Sequence, residues 1–220
     1  MESLRLLWRS TVGKKAVMAL TGMFMALWLV AHLAGNLLVF AGPAAMDGYG
    51  AALHSRPWLL WPMRAALLAA VALHAAAAWQ LGAQARKARP QRYVVRKLQV
   101  ATLASRLMQV GGGALALFIP LHLLHLTWGA IHPQFQVGAV YHNVVTGLRS
   151  PAVALAYIAA LVALGLHLDH GLWSWRRSLG LVPLHSTAQP LRRPIARLVA
   201  VALWLGFIAI PIAAVLGFLG

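Results

Sequence analysis

The chain has ten histidines and no cysteine, so thiolate ligation is excluded and imidazole is the commonest metal-ligating group it carries. Four of these histidines, His32, His74, His122 and His167, each interrupt a different long apolar run. An ionisable side chain at such depth in a bilayer costs a few kcal/mol unless it has a partner, so its default reading is functional. The run from Pro151 to Arg177 shows the problem most clearly. It holds His167, Asp169 and His170, then closes on Trp173 and Trp175 followed by Arg176 and Arg177. That ending is the one expected of a helix leaving lipid on the cytoplasmic side. No acid deep in the run can pair with His167, so something else must. Neutral imidazole is a ligand for haem iron, whereas disulfides, iron–sulfur ligation and thiolate chemistry are excluded within this chain.

Composition says which elements position these residues. Hydrophobic residues make up 61% of the 220 and charged residues 10%, with a mean hydropathy of +0.73, so an integral membrane protein is expected. The formal charge of +16 is not a nucleic-acid footprint, because the basic residues lie in short clusters between apolar runs and not along one face or tail. No secretory signal peptide is expected, since the first apolar run has membrane-spanning length and no small-residue cleavage site after it. The opening MESLRLLWRSTVGKK is a short basic amphipathic stretch that reads as lying at the membrane surface. Five spans follow, at about residues 16–41, 59–83, 103–131, 151–175 and 195–220. The expected fold is all-α: one domain, a five-helix transmembrane bundle with close contacts through abundant alanine and glycine. Pro90 lies in the basic segment from Arg86 to Lys97 and blocks a continuous helix there; the segment LVPLHSTAQPLRRP reads as a hinge before the last span.

Basic residues set the expected orientation. With a cytoplasmic N-terminus, one side keeps only Arg56, Arg64 and Arg149, and the other holds the remaining 16 of the 19 lysines and arginines. This positive-inside bias puts the N-terminus inside and the C-terminus outside, across a bacterial cytoplasmic membrane. Counting at the helical rise from the nearest cytoplasmic basic residue, His32 lies ~25 Å from Lys15 and His122 ~24 Å from Arg106. By the same count, His74 lies ~18 Å from Arg86 and His167 ~14 Å from Arg176. One histidine from the first span and one from the third therefore share an outer level; one from the second and one from the fourth share an inner level. Two levels with two imidazoles each, on facing helices, are what two haems with paired axial ligands require. A lone membrane histidine is often only a hydrogen-bonding group facing a neighbouring helix. Four on four helices, pairing at two depths, make that reading a poorer account.

The other polar residues divide as follows. His125, one turn beyond His122, reads as a supporting or interface residue, with ligation in place of His122 as its alternative. His170 lies near the cytoplasmic boundary beside Asp169, where a haem propionate, a subunit contact and plain hydration are all open. His132, His142 and His185 read as loop residues. Asn36, one turn past His32, is a hydrogen-bonding candidate beside it. Asp47 is the only acid expected on the outer side, with Tyr49, His54 and Arg56 nearby; an ordinary solvated loop is one reading of this set.

The segments His32-Leu33-Ala34-Gly35-Asn36, His74 with its small neighbours, Phe118-Ile119-Pro120-Leu121-His122-Leu123-Leu124-His125 and His167-Leu168-Asp169-His170-Gly171-Leu172-Trp173-Ser174 resemble the cytochrome b558-type membrane anchor of succinate dehydrogenase and of related di-haem quinol:fumarate reductases. The resemblance runs over nearly the whole length. It implies two haem b groups, with His32 and His122 as outer ligands and His74 and His167 as inner ligands. It also implies a quinone site, menaquinone being the expected quinone. Quinone reduction takes up protons, so a titratable group near the interface is needed; Asp47, Tyr49, His54 and Arg56 are the candidates, with a pocket on the inner side as the alternative. The resemblance further implies two soluble partners on the cytoplasmic face, a flavoprotein and an iron–sulfur subunit. Succinate chemistry would belong to the flavoprotein, and this chain would relay electrons to or from quinone. One departure stands out: the family commonly has Arg-x-Thr-Gly at the start of the third span, where this chain reads Gln109-Val110-Gly111-Gly112, with Arg106 one turn earlier. Two other classes stay open, a free-standing b561-type di-haem carrier and a haem-free structural anchor.

Overall fold

The computed structural model describes residues 8–88, 103–181 and 189–219. Most of the basic segment from Arg86 to Lys97, with Arg92 and Arg96, and also His185 and part of the segment before the last span, lie outside the described residues.

Among the described residues the chain is helical, with no strand. In lipid every backbone N–H and C=O must be satisfied within the segment itself, and a helix does this for a run of apolar side chains. Helix α1 runs Thr11–Leu37, capped by the Ser10 side chain, which accepts from the Gly13 amide at 2.9 Å. A 3-10 turn, Leu38–Ala41, ends it at Gly42, whose φ of 93° is open to glycine at little cost. Helix α2 is Pro43–His54, α3 Pro57–Lys87 and α4 Leu103–His122. A π turn, Leu123–Thr127, continues α4 after Pro120, which removes one backbone donor from the ladder. Helix α5 is Val140–Arg149, α6 Pro151–Ser178 and α7 Gln189–Val215. Helices α2, α3 and α6 each start on a proline, the residue whose missing N–H is harmless in a first turn.

Among the described residues, five segments are long and apolar enough to cross a membrane: Thr11–Ala41, Pro57–Lys87, Leu103–Thr127, Pro151–Ser178 and Pro194–Val215. The protein is thus a multi-pass membrane protein by length and composition. Two of the segments read as loops contain helix: Pro43–His54 and Val140–Arg149 are short helices at the same end of the bundle. Neither has the length of a span, so an apolar-run reading passes over both.

Packing gives the bundle its shape. Helix α1 packs along α3, α4 along α6, and α1 along α6, while α3 and α4 meet only lightly. These four contacts close a square in the order α1–α3–α4–α6. Helix α7 packs outside it, against α6 and α1. One core cluster, Ala26, Leu33, Leu161, Leu168, Ala200, Leu203 and Phe207, joins α1, α6 and α7. The other, including Val39, Met46, Val144, Leu148 and Ala214, closes the end carrying α2 and α5. At the opposite, basic end, the Arg86 guanidinium lies over Trp79, Arg176 over Trp175 and Arg177 over Trp173. Such cation–aromatic pairs suit the level of lipid headgroups.

Candidate functional site

The histidine pairs span the diagonals of the square. His32 on α1 faces His122 on α4, with ring centroids 6.0 Å apart, and His74 on α3 faces His167 on α6 at 6.1 Å. Neighbouring helices touch through their flanks, so side chains that meet across a diagonal meet in the middle of the bundle. The structure therefore brings together the same rings that share a depth along the sequence. On α1, Thr21 marks the level of His74, because its hydroxyl lies 3.3 Å from His74 Nδ1. On α6, Tyr157 marks the level of His122, with its hydroxyl 3.5 Å from His122 Nδ1. Eleven residues separate Thr21 from His32 and ten separate Tyr157 from His167, so the two levels are ~15 Å apart along the axis.

Each pair has the spacing that two imidazoles take on opposite sides of one metal centre. A metal–nitrogen bond of ~2 Å plus ~1 Å from nitrogen to ring centre, counted on both sides, gives ~6 Å between centroids. Among the described residues no group of three or more His, Cys, Asp or Glu could hold a metal ion. A porphyrin supplies four equatorial ligands itself and asks the protein for only two.

The atoms around the rings fit that use. His74 Nδ1 donates to the Met18 carbonyl at 2.9 Å, which leaves Nε2 unprotonated and able to act as a ligand. Gly22 lies against the same ring, with an ideal Cβ 3.1 Å from His74 Cε1. Gly112 backs His167 on the other side, at 3.6 Å from Cε1. The departure noted in the sequence, Gly111-Gly112, is therefore a place where α4 runs close past an imidazole. His167 Nδ1 is buried and has no hydrogen-bond partner, an unmet polar group of the kind that marks a site. Asn36 Nδ2 donates to the His32 carbonyl at 2.7 Å and lies 3.3 Å from its Nδ1, so Asn36 does sit on that ring. Trp28 stacks on His32 at 4.4 Å from the other side.

His125 takes no part in a cross-bundle pair. It is buried, bonds the Tyr157 hydroxyl through Nδ1 at 2.8 Å, and stacks on His132 at 4.9 Å. His132 belongs to the turn before α5, a loop residue as expected, and is buried too. Its Nε2–H donates to the Asn143 carbonyl at 2.9 Å, and its Nδ1 accepts from the Gln134 amide at 3.1 Å. Asn143 fastens the same turn by bonding Gln136 through both halves of its amide, at 2.7 and 2.8 Å. His142 lies on α5 and bonds the Gln134 carbonyl at 3.0 Å.

The four residues considered for a quinone lie on or just after α2. Asp47 Oδ1 accepts from the Tyr141 amide at 2.8 Å, tying α2 to the first turn of α5, where the helix dipole favours a carboxylate. Tyr49 packs on Gly35, one turn past His32, with an ideal Cβ only 2.6 Å from the ring. His54 Nδ1 donates to the Gly50 carbonyl and Arg56 Nη1 to the Ala52 carbonyl, each at 2.8 Å. Asp47, His54 and Arg56 thus each bond a backbone group. At the basic end, Asp169 pairs with Arg197 at 3.2 Å, which links α6 to α7.

Sequence reasoning passed over Tyr157, Thr21 and the Met18 carbonyl. The first two carried a usable signal, a hydroxyl inside an apolar run; the backbone carbonyl carried none. No protein-family model matches the chain, and no curated protein or solved structure matches it.

Proposed function

We propose that this chain is the di-haem cytochrome b membrane-anchor subunit of a succinate:quinone oxidoreductase, passing electrons between an iron–sulfur subunit and membrane quinone. The observation that carries the reading is the pair of diagonal imidazole contacts, at 6.0 and 6.1 Å, on two levels of one bundle. In this reading His32 and His122 hold one haem b, and His74 and His167 hold the other. Bound there, haem iron supplies one-electron redox chemistry. The chain's residues do the rest. The Met18 carbonyl orients the His74 ring, Asn36 packs against His32, the apolar walls exclude water, and Gly22 and Gly112 let helix backbones run close beside the imidazoles.

The quinone, menaquinone in this proposal, meets the bundle at the α2 end. Tyr49 on Gly35 places α2 over the His32/His122 level, and Asp47, His54 and Arg56 share that helix and its cap. The basic end, with Arg9, Lys15, Arg86, Lys87, Arg176 and Arg177, faces the cytoplasm of a bacterial cell and docks the flavoprotein and the iron–sulfur subunit. The sequence motifs quoted above support this choice over a free-standing carrier.

Purification of the native complex tests the reading. Co-purification of a flavoprotein and an iron–sulfur subunit, about two haems per chain by pyridine haemochrome, and succinate-dependent quinone reduction are expected. Two haems without soluble subunits would favour the free-standing b561-type carrier. A haem content near zero would leave a structural anchor.

A further inference from the structure

Tyr157 stands between two imidazoles of the α4 segment. Its hydroxyl is 2.8 Å from His125 Nδ1 and 3.5 Å from His122 Nδ1. A phenol has one proton to give, so these three groups form a chain with one direction at a time. Either His122 Nδ1–H donates to Tyr157 and Tyr157 donates to His125, or the order is reversed. In the reversed order His122 carries its proton on Nε2 and cannot ligate through that atom.

The far end of the chain is held still. The His125 ring stacks on His132, and the two backbone bonds of His132 fix it as the Nε2–H tautomer. Helix α5 seats on both rings through Gly147, whose ideal Cβ lies 2.9 Å from His125 Cε1 and 2.8 Å from His132 Nε2. A larger residue there would push the stack toward Tyr157. The Tyr157 ring is itself held edge-on to Phe118, with centroids 5.0 Å apart.

We propose that Tyr157 is a positioning residue for the His32/His122 centre. It accepts from His122 Nδ1–H, gives its own proton to His125 Nδ1, and so keeps His122 Nε2 unprotonated and aimed for iron. The inference rests on the haem reading above. Metal-bound imidazoles hold their second N–H in this way, which fixes ring orientation and raises ligand basicity. At the other level the equivalent support is a backbone carbonyl, from Met18 to His74. The two pairs therefore differ in how one ring of each is held: His122 through a side-chain chain that substitution can break, His74 through the backbone.

Tyr157→Phe in the purified complex tests this, because the ring that packs on Phe118 is retained. Haem at the His32/His122 centre should be held roughly 10-fold less tightly. Its midpoint potential should rise, since a less basic imidazole stabilises ferric iron less, and its ferric paramagnetic resonance signal should move. The second haem should keep its potential and its signal. His125→Leu, which leaves the Tyr157 proton without an acceptor, should shift the same haem in the same direction. His125→Gln, which restores an acceptor, should return it toward wild type. If both variants leave both potentials and both signals as in wild type, or move the two haems equally, Tyr157 is packing and the proposal is overturned. A wild-type complex without haem would overturn the haem reading and this proposal together. A two-haem wild type insensitive to Tyr157→Phe and His125→Leu would overturn only the role of Tyr157.

Discussion

Gly22 and Gly112 offer a matched pair of perturbations on the two rings of one level. An alanine Cβ at Gly112 would meet His167 Cε1 at 3.6 Å, an ordinary contact, whereas at Gly22 it would meet His74 Cε1 at 3.1 Å. Replacing glycine by alanine inside a helix is worth about 1 kcal/mol in its own right, so Gly112→Ala should be neutral or slightly stabilising. Gly22→Ala gains the same amount but forces the His74 ring to shift by a few tenths of an ångström, which strains its 2.9 Å bond to the Met18 carbonyl. That bond contributes about 1 kcal/mol net, so thermal stability should hardly change while the ligand is loosened. Loss of such support typically costs roughly 10-fold in metal affinity. Gly22→Leu leaves the ring no room and adds about 1–3 kcal/mol of overpacking, so haem at the His74/His167 level should be lost. Haem content and potentiometric difference spectra on the purified complex read these effects. The expected order is two components in wild type and Gly112→Ala, one weakened in Gly22→Ala, and one absent in Gly22→Leu. Retention of both components in Gly22→Leu would refute the placement of a haem against this ring.

Single-ligand variants should sort by diagonal: His32→Ala and His122→Ala remove one spectral component, His74→Ala and His167→Ala the other. Removal of the same component by His32→Ala and His167→Ala would break the pairing. Loss of a component in His125→Ala but not in His122→Ala would move the ligand on α4. Asn143→Ala should lower stability by about 1–3 kcal/mol, because it strips both bonds from Gln136 and leaves those backbone groups unmet, with a fall in Tm of the solubilised complex as the readout. It should leave the His74/His167 component unchanged, since the turn it fastens lies at the other end of the bundle.

Much of the fold is written in local chemistry. Five runs are apolar for long enough that only a helix could satisfy their backbone in lipid, and Pro43, Pro57 and Pro151 mark first turns by the donor they lack. The four histidines stand out because a titratable ring in such a run is costly. Counting residues from the basic clusters even groups His32 with His122 and His74 with His167, since every residue of a helix advances the same distance along its axis. The rotation of each helix about that axis is a different quantity, set by how all the helices pack. That rotation put the paired rings on diagonals, brought the Met18 carbonyl under His74 and Tyr157 between His122 and His125, and buried His132 beneath Gly147. Relative height along the bundle axis could be read from the sequence by itself. Facing direction, and with it the partner of each ring nitrogen, was decided only by tertiary packing, because no single helix contains the neighbour that its side chain will meet.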